Sequence, residues 1–204
     1  MNQREHIFYK RVTRCLTGLK HGFLSCSDVS FGPEVQGYDL GGAFWRVLSP
    51  KDIYNPQVVQ ALADWRDRHQ QFFPPQFQVT VAGTRKWLKE QVIELSDRIL
   101  FFIVSISNAP VAHLGLNRFN WLERSCEIDN VIRGRDDLLP LVMTSAVRHL
   151  CDWSFAWLGL REIYLRVLSN NHKAISLYER CGFEVIDKIT FEAELCFLRM
   201  RCVV

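Results

Sequence analysis

Residues Val167–Phe183 read VLSNNHKAISLYERCGF, and this stretch with its flanks decides the fold. Ile163 to Leu168, which runs into it, predicts a strand, since apolar and β-branched side chains suit a pleated, buried surface. Asn171 to Arg180 predicts a helix, and Phe183 to Phe191 and Cys196 to Val203 predict two closing strands. A strand, a crossing helix and further strands make an α/β arrangement, and such crossovers gather ligand sites at the carboxyl ends of the strands.

Toward the N-terminus, Leu139 to Leu158 carries Leu139, Val142, Met143, Ala146, Val147, Leu150, Trp153, Ser154 and Trp157 at helical offsets. It predicts a long helix buried on one face. Three strand-like segments precede it: Ile99 to Ile106, Pro110 to Phe119 with a break at Gly115, and Cys126 to Ile132, which alternates strictly. Asn108-Ala109-Pro110 reads as the turn joining the first two. Thr84 is the expected N-cap of a helix over Arg85 to Leu95. Val58, Val59, Leu62, Ala63 and Trp65 put an apolar stripe on an earlier helix that enters at Ser49-Pro50-Lys51-Asp52 and ends before Pro74-Pro75. With a short strand at Phe44 to Leu48, the order predicts an α/β (α+β) domain over residues 43–204, built on a mixed sheet of about seven strands with flanking helices. In residues 1–42 the periodicity is broken by Gly18, Gly22, Gly32, Pro33, Gly37, Gly41 and Gly42, so an irregular N-terminal extension is expected. The ligand site is expected where the strand Cys126 to Ile132 meets the following helix.

The chain of 204 residues is 48% hydrophobic and 23% charged, which suits one globular domain and excludes wholesale disorder. A net charge of +3 gives no global footprint for nucleic acid, although Arg4, Lys10, Arg11, Arg14 and Lys20 face only Glu5 in the segment ending at His21. Seven cysteines without a CxxC pair fit neither a disulfide framework nor a zinc site, so reduced thiols and no metal are expected. The charges of the first residues interrupt the apolar core that a signal peptide needs, and no apolar stretch approaches the ~18 residues that cross a bilayer. The expectation is a cytoplasmic protein with no membrane and no nucleic-acid partner.

The stretch Val167–Phe183 resembles the strand-end Asn, helix and Tyr-Glu-x-x-Gly-Phe signature of the GNAT superfamily of N-acetyltransferases. LCDWSFAWLGL at Leu150–Leu160 and EIDNVIRG at Glu127–Gly134 look like that family's cofactor helix and the strand before it. The resemblance spans residues 43–204 and implies acetyl-CoA as co-substrate, with direct transfer of the acetyl group to a primary amine. It is nearest to branches acting on ribosomal-protein N-termini, polyamines or the amino groups of nucleotide-linked sugars. Either a small-molecule amine or a peptide N-terminus is therefore an expected partner, and a homodimer is compatible with it.

By the same resemblance, the coenzyme pyrophosphate lies on backbone N–H groups of a turn opening a helix, where unpaired donors and the helix dipole attract anions. The matching turn is RGRDDLLPLVM, which places Arg133, Gly134, Arg135, Leu141, Val142 and Met143 at the cofactor. It departs from the family pattern, since Leu141 stands where many relatives have a second glycine. Asp136 and Asp137 repel phosphate if turned inward and cap the helix if not, while Arg133 and Arg135 either pair with phosphate or are solvated. The main chain of Asn130, Val131 and Ile132 is expected to pair with the pantetheine amides as an added strand would. Asn170 either bonds the pantetheine arm or caps the helix, and Lys173 joins the cofactor set. Tyr178 is the implied acid that protonates the leaving thiolate, against the plainer role of a packed ring.

An attacking amine must lose a proton, and strict alternation from Cys126 to Ile132 puts Glu127 and Asp129 on one face, with Ile128, Asn130 and Ile132 on the other. Either acid could be the base if buried, and a solvent-facing strand edge is the alternative. His113 reads as a core histidine, His172 as exposed and Cys181 as structural. Phe31, Trp45, Trp65, Phe72, Phe73 and Trp121 line an acceptor pocket or pack the core. The Arg-Gly-x-x-x-x-x-Pro-x-x-Met spacing resembles a branch of the family acting on amino sugars, which implies an amino sugar, nucleotide-linked, as acceptor, with a peptide N-terminus or a polyamine as alternatives. A GNAT-fold binding module that has lost catalysis is the reading from another class.

Overall fold

Residues 1–29, 43–74, 77–135, 141–191 and 195–204 are described in a computed structural model of the chain. The first element is a helix, α1 (Gln3–His21), where an irregular extension is expected from the glycines. Asn2 caps it by accepting from the Glu5 amide at 2.9 Å while the Glu5 carboxylate accepts from the Asn2 amide at 3.1 Å, and Gly22 ends it at φ 74°. Phe8, Val12, Cys15, Leu16 and Leu19 fall on one stripe and are buried in the main core. Gly18 sits inside this helix because Leu24 folds back over it: a Cβ there would meet Leu24 Cδ1 at 2.8 Å. Lys20 is fully buried, and its ammonium donates to the carbonyls of Val92 at 3.0 Å, Ile93 at 3.3 Å and Leu95. The remaining breakers, from Gly32 to Gly42, lie outside the described residues.

Seven strands form one sheet: β1 (Phe44–Val47), β2 (Ile99–Val104), β3 (Pro110–Asn120), β4 (Ser125–Arg133), β5 (Glu162–Leu168), β6 (Glu184–Phe191) and β7 (Leu195–Val203). Their spatial order is β1-β2-β3-β4-β5-β7-β6, with β4 and β5 parallel and every other pair antiparallel. The strand β7 is thus inserted between β5 and β6. The all-apolar run of β2 follows from burial on both faces. Phe101 and Ile103 enter one core with α1, α4 (Val142–Trp153) and α5 (His172–Arg180), while Leu100, Phe102 and Val104 enter the other with α2 (Pro56–Arg68) and α3 (Val81–Leu88).

Four helix starts differ from the sequence expectation, and one of them is α4, which begins at Val142 rather than Leu139. The helix α2 begins at Pro56, capped by Asn55 Oδ1 accepting from Gln57 N at 3.0 Å, while Asp52 is held by Arg46 at 2.8 Å and by Ser49. The cap of α3 is Thr80, which accepts from Gly83 N at 3.0 Å, so Thr84 lies inside the helix and a π-helical turn, Lys89–Ile93, completes it. The cap of α5 is Asn171, accepting from Ala174 N at 3.2 Å, rather than Asn170. Capping depends on which oxygen reaches the first free amides, and several Ser, Thr or Asn residues compete for that role near each start. Among the described residues no helix is long and apolar enough to cross a membrane.

Candidate active site

The strands β4 and β5 pair only from Ser125↔Glu162 to Glu127↔Tyr164 among the described residues. Beyond that point β4 stays with β3 as far as Ala112↔Arg133, and β5 stays with β7 as far as Leu168↔Phe197, so the sheet opens between them at their carboxyl ends. A bulge in β4 accompanies the opening: His113 faces Ile132, but Gly115 faces Asp129, which leaves one extra residue on β4. Asn130 takes up that residue at φ 51°, a left-handed conformation that asparagine tolerates better than most side chains. The bulge also overturns the strict alternation read from the sequence. Ile128 and Val131 belong to the α4 core, whereas Ile132 packs into the α2 core on the face that carries Glu127 and Asp129. Period-two reading fails beyond Asp129 because an inserted residue inverts every later side chain.

A cleft of about 1060 Å³ occupies this opening, with walls from α2 and the segment after it, from Glu127 through Arg133, and from α5. Asp129 Oδ2 accepts from Arg98 at 2.5 Å, Asn117 Nδ2 at 2.8 Å and Asn130 Nδ2 at 2.6 Å, while its Oδ1 is buried without a partner. Burial pushes the Asp129 carboxyl from 3.8 up to about 6, opposed by Arg98 and reinforced by the charge of Glu127. Glu127 is differently placed: its carboxylate takes Arg166 Nε at 2.9 Å and Arg118 at 3.3 Å. Tyr178 is 8% exposed, its ring centroid 6.0 Å from that of Phe183 in an edge-on arrangement, and burial pushes its hydroxyl well above the ordinary range. It therefore stays protonated and able to donate. Burial pulls His113 down to about 3, so this imidazole, stacked 5.9 Å from Trp65 and bonded to the Asn130 main chain, is neutral and a poor base.

Of the cofactor residues expected from the sequence, Asn130, Val131, Ile132, Arg133, Met143, Lys173 and Tyr178 line the cleft, as do Glu127 and Asp129. Asn171 lines it too, while Asn170 is exposed outside it. The amides of Gly134 and Arg135 donate to Val111 O at 3.0 and 3.2 Å, and this engages both donors within the protein. Gly134 answers to packing: a Cβ there would stand 2.1 Å from Trp65 Cε2. Asp136 and Asp137 lie outside the described residues. Leu141 precedes α4 at φ 74° and is 63% exposed, so it adopts the backbone conformation that glycine favours. Val142 is buried, and with Met143 it opens α4, where the first amides have no partner within the helix. Phe72 and Phe73 line the cleft, Trp45 and Trp121 pack elsewhere, and Phe31 lies outside the described residues. Arg98, Asn117 and Arg66 were not legible as site residues, since each comes from a different element. The one available signal was Arg98, a charge set directly before an all-apolar strand.

The sheet is parted between two parallel strands, and Asp129 of β4 and the buried Tyr178 of α5 both line the gap. The acetyltransferase (GNAT) domain family matches residues 46–184, and the chain belongs to that family, whose members use acetyl-CoA. Over 68 residues the chain is 40% identical to spermidine N(1)-acetyltransferase of Vibrio cholerae serotype O1, a match spanning 33% of this chain and 39% of that protein. Among solved structures, the spermidine N-acetyltransferase of Vibrio cholerae in complex with CoA and spermine has a TM-score of 0.65 at 20% identity, covering 79% of this chain and 95% of that one. The dodecameric structure of that enzyme in an intermediate state has a TM-score of 0.62 at 19% identity, covering 79% and 94%. At such identities the likeness is one of fold.

Proposed function

We propose that this protein transfers the acetyl group of acetyl-CoA to a primary amine within the cleft between β4 and β5. The observation that carries the proposal is the placement of Asp129 and Tyr178 on the same cleft, beside a stretch of β4 with no strand paired to its free edge among the described residues. In this reading the main chain of Asn130, Val131 and Ile132 holds the pantetheine arm, and Met143, at the opening of α4, and Lys173 flank the phosphates. Asp129, with a carboxyl near 6 and one unpartnered oxygen, takes the proton of the attacking amine. Tyr178 gives its proton to the departing thiolate, and backbone N–H groups of β4 steady the developing oxyanion. Glu127, bound by two arginines, is the positioning partner.

The acceptor in this proposal is an amino sugar, nucleotide-linked, as the spacing from Arg133 to Met143 suggests. A second reading, a polyamine acceptor, draws on the names of the relatives. A binding module without catalysis is disfavoured by Leu141, which holds the left-handed backbone that glycine favours. Two measurements test the proposal: the shift of the unfolding midpoint with acetyl-CoA, and thiol release across amino sugars, polyamines and peptide N-termini. A midpoint rise with thiol release on one acceptor class is expected. No shift together with no release on any amine refutes it.

A further inference from the structure

The cations of the cleft outnumber the carboxylates available to neutralise them. Glu127 is shared by Arg118 and Arg166, and Asp129 is paired with Arg98. Asp97, the third carboxylate of the wall, lies in the field of Lys20. Arg66 on α2 is left over: among the described residues it makes no ion pair, and its one hydrogen bond runs to the Phe73 carbonyl at 3.4 Å. Its guanidinium lies 4.2 Å from the Phe73 ring centroid and 5.4 Å from that of Phe77, with the side chain half-buried in the cleft wall. Arg66 and Asp129 line the same cleft, and the charge of Asp129 favours the charged form of the guanidinium.

A half-buried guanidinium with no direct ion pair among the described residues is costly to keep. Set against two aromatic rings, with most of its five donors unengaged among the described residues, it has the form in which arginine reads phosphate or carboxylate. We infer that the acceptor amine carries an anionic group, a phosphate or a carboxylate, which Arg66 binds while the amino group lies at Asp129. This rests on acetyl transfer occurring in the cleft and names the chemical class of the acceptor within it. An amino sugar linked to a nucleotide meets the description. A polyamine brings only positive charge to a wall on which Arg66, Arg98, Arg118 and Arg166 already outnumber Asp97, Glu127 and Asp129.

The test is equilibrium binding to the protein saturated with CoA, where no reaction runs. The probes are glucosamine 1-phosphate, β-alanine, glucosamine and spermidine. At least one anionic amine is expected to bind about 10–100-fold more tightly than spermidine. That preference collapses toward unity in Arg66→Gln and is partly restored in Arg66→Lys. The phosphate and carboxylate arms separate the two sources of the anion. Equal or tighter binding of spermidine overturns the inference, as does a loss in Arg66→Gln that falls on CoA affinity instead. Should CoA itself fail to bind, acetyl transfer falls as a reading, while the same ratio measured on the free protein still judges Arg66.

Discussion

Replacing Asp129 by Asn isolates the titration of the proposed base. The side chain is 17% exposed, and burial lifts its carboxyl from 3.8 to about 6. Below pH 3.8 the folded and unfolded chains both hold the proton. Between 3.8 and about 6 the unfolded chain has released it and the folded chain has not, so folding takes up a proton and stability falls as pH rises. Above about 6 both forms are ionised and the loss is complete. At 1.36 kcal/mol per pH unit the window is worth ~3 kcal/mol. Asn does not titrate, and the hydrogen bonds it alters add an offset that does not depend on pH. The difference in unfolding free energy, Asn variant minus parent, should therefore climb by ~3 kcal/mol from pH ~4 to ~7, measured by urea unfolding at closely spaced pH values. In the parent, kcat/KM should rise along a single limb centred near 6. A flat difference curve, or one that descends, refutes the assignment of a raised carboxyl at Asp129.

Tyr178→Phe should lower kcat by ~10²–10⁴ with the dissociation constant of acetyl-CoA unchanged, read by single-turnover thiol release and calorimetry. An undiminished rate removes the tyrosine from proton transfer. Leu16→Ala, at a position with no exposed surface, should cost about 2–5 kcal/mol by urea unfolding, whereas a loosely attached extension would register almost nothing. Leu141→Gly should raise the unfolding free energy by ~0.5–1 kcal/mol, because a left-handed leucine is strained and its mostly exposed side chain gives up little burial. A net loss there would mean the leucine side chain packs against something essential.

What the sequence made legible follows from how far each signal reaches. The strand-helix-strand around Val167–Phe183, the meander before it and the amphipathic α4 are written in local periodicity, and the sheet carries all three. Helix α1 was hidden by Gly18, which read as a breaker and is a contact point for Leu24. The side-chain facing of β4 was hidden by Asn130, because a one-residue bulge leaves no mark on composition yet moves Ile132 across the sheet. At the site, the string Leu-Tyr-Glu-Arg-Cys-Gly-Phe located Tyr178, and the neighbouring asparagines left the cap one residue from its place. The partners of Asp129 come from β3, from β4 itself and from the start of β2, and no spacing rule joins Arg98 to Asn117. Contacts of that kind exist only once the sheet is assembled.

The insertion of β7 between β5 and β6 imposes an order on folding during synthesis. Among the described residues β5 pairs with β4 only from Glu162 to Tyr164, so its firm neighbour is β7, along Glu162↔Val203 to Leu168↔Phe197. The ribosome makes α5 and β6 before that neighbour exists, and a nascent chain halted there exposes an apolar, unzipped edge beside the half-built wall. Tyr178 should therefore settle against the sheet only after Leu195–Val203 has paired with β5, and ribosome-stalled chains shorter than this should be captured by holdase chaperones.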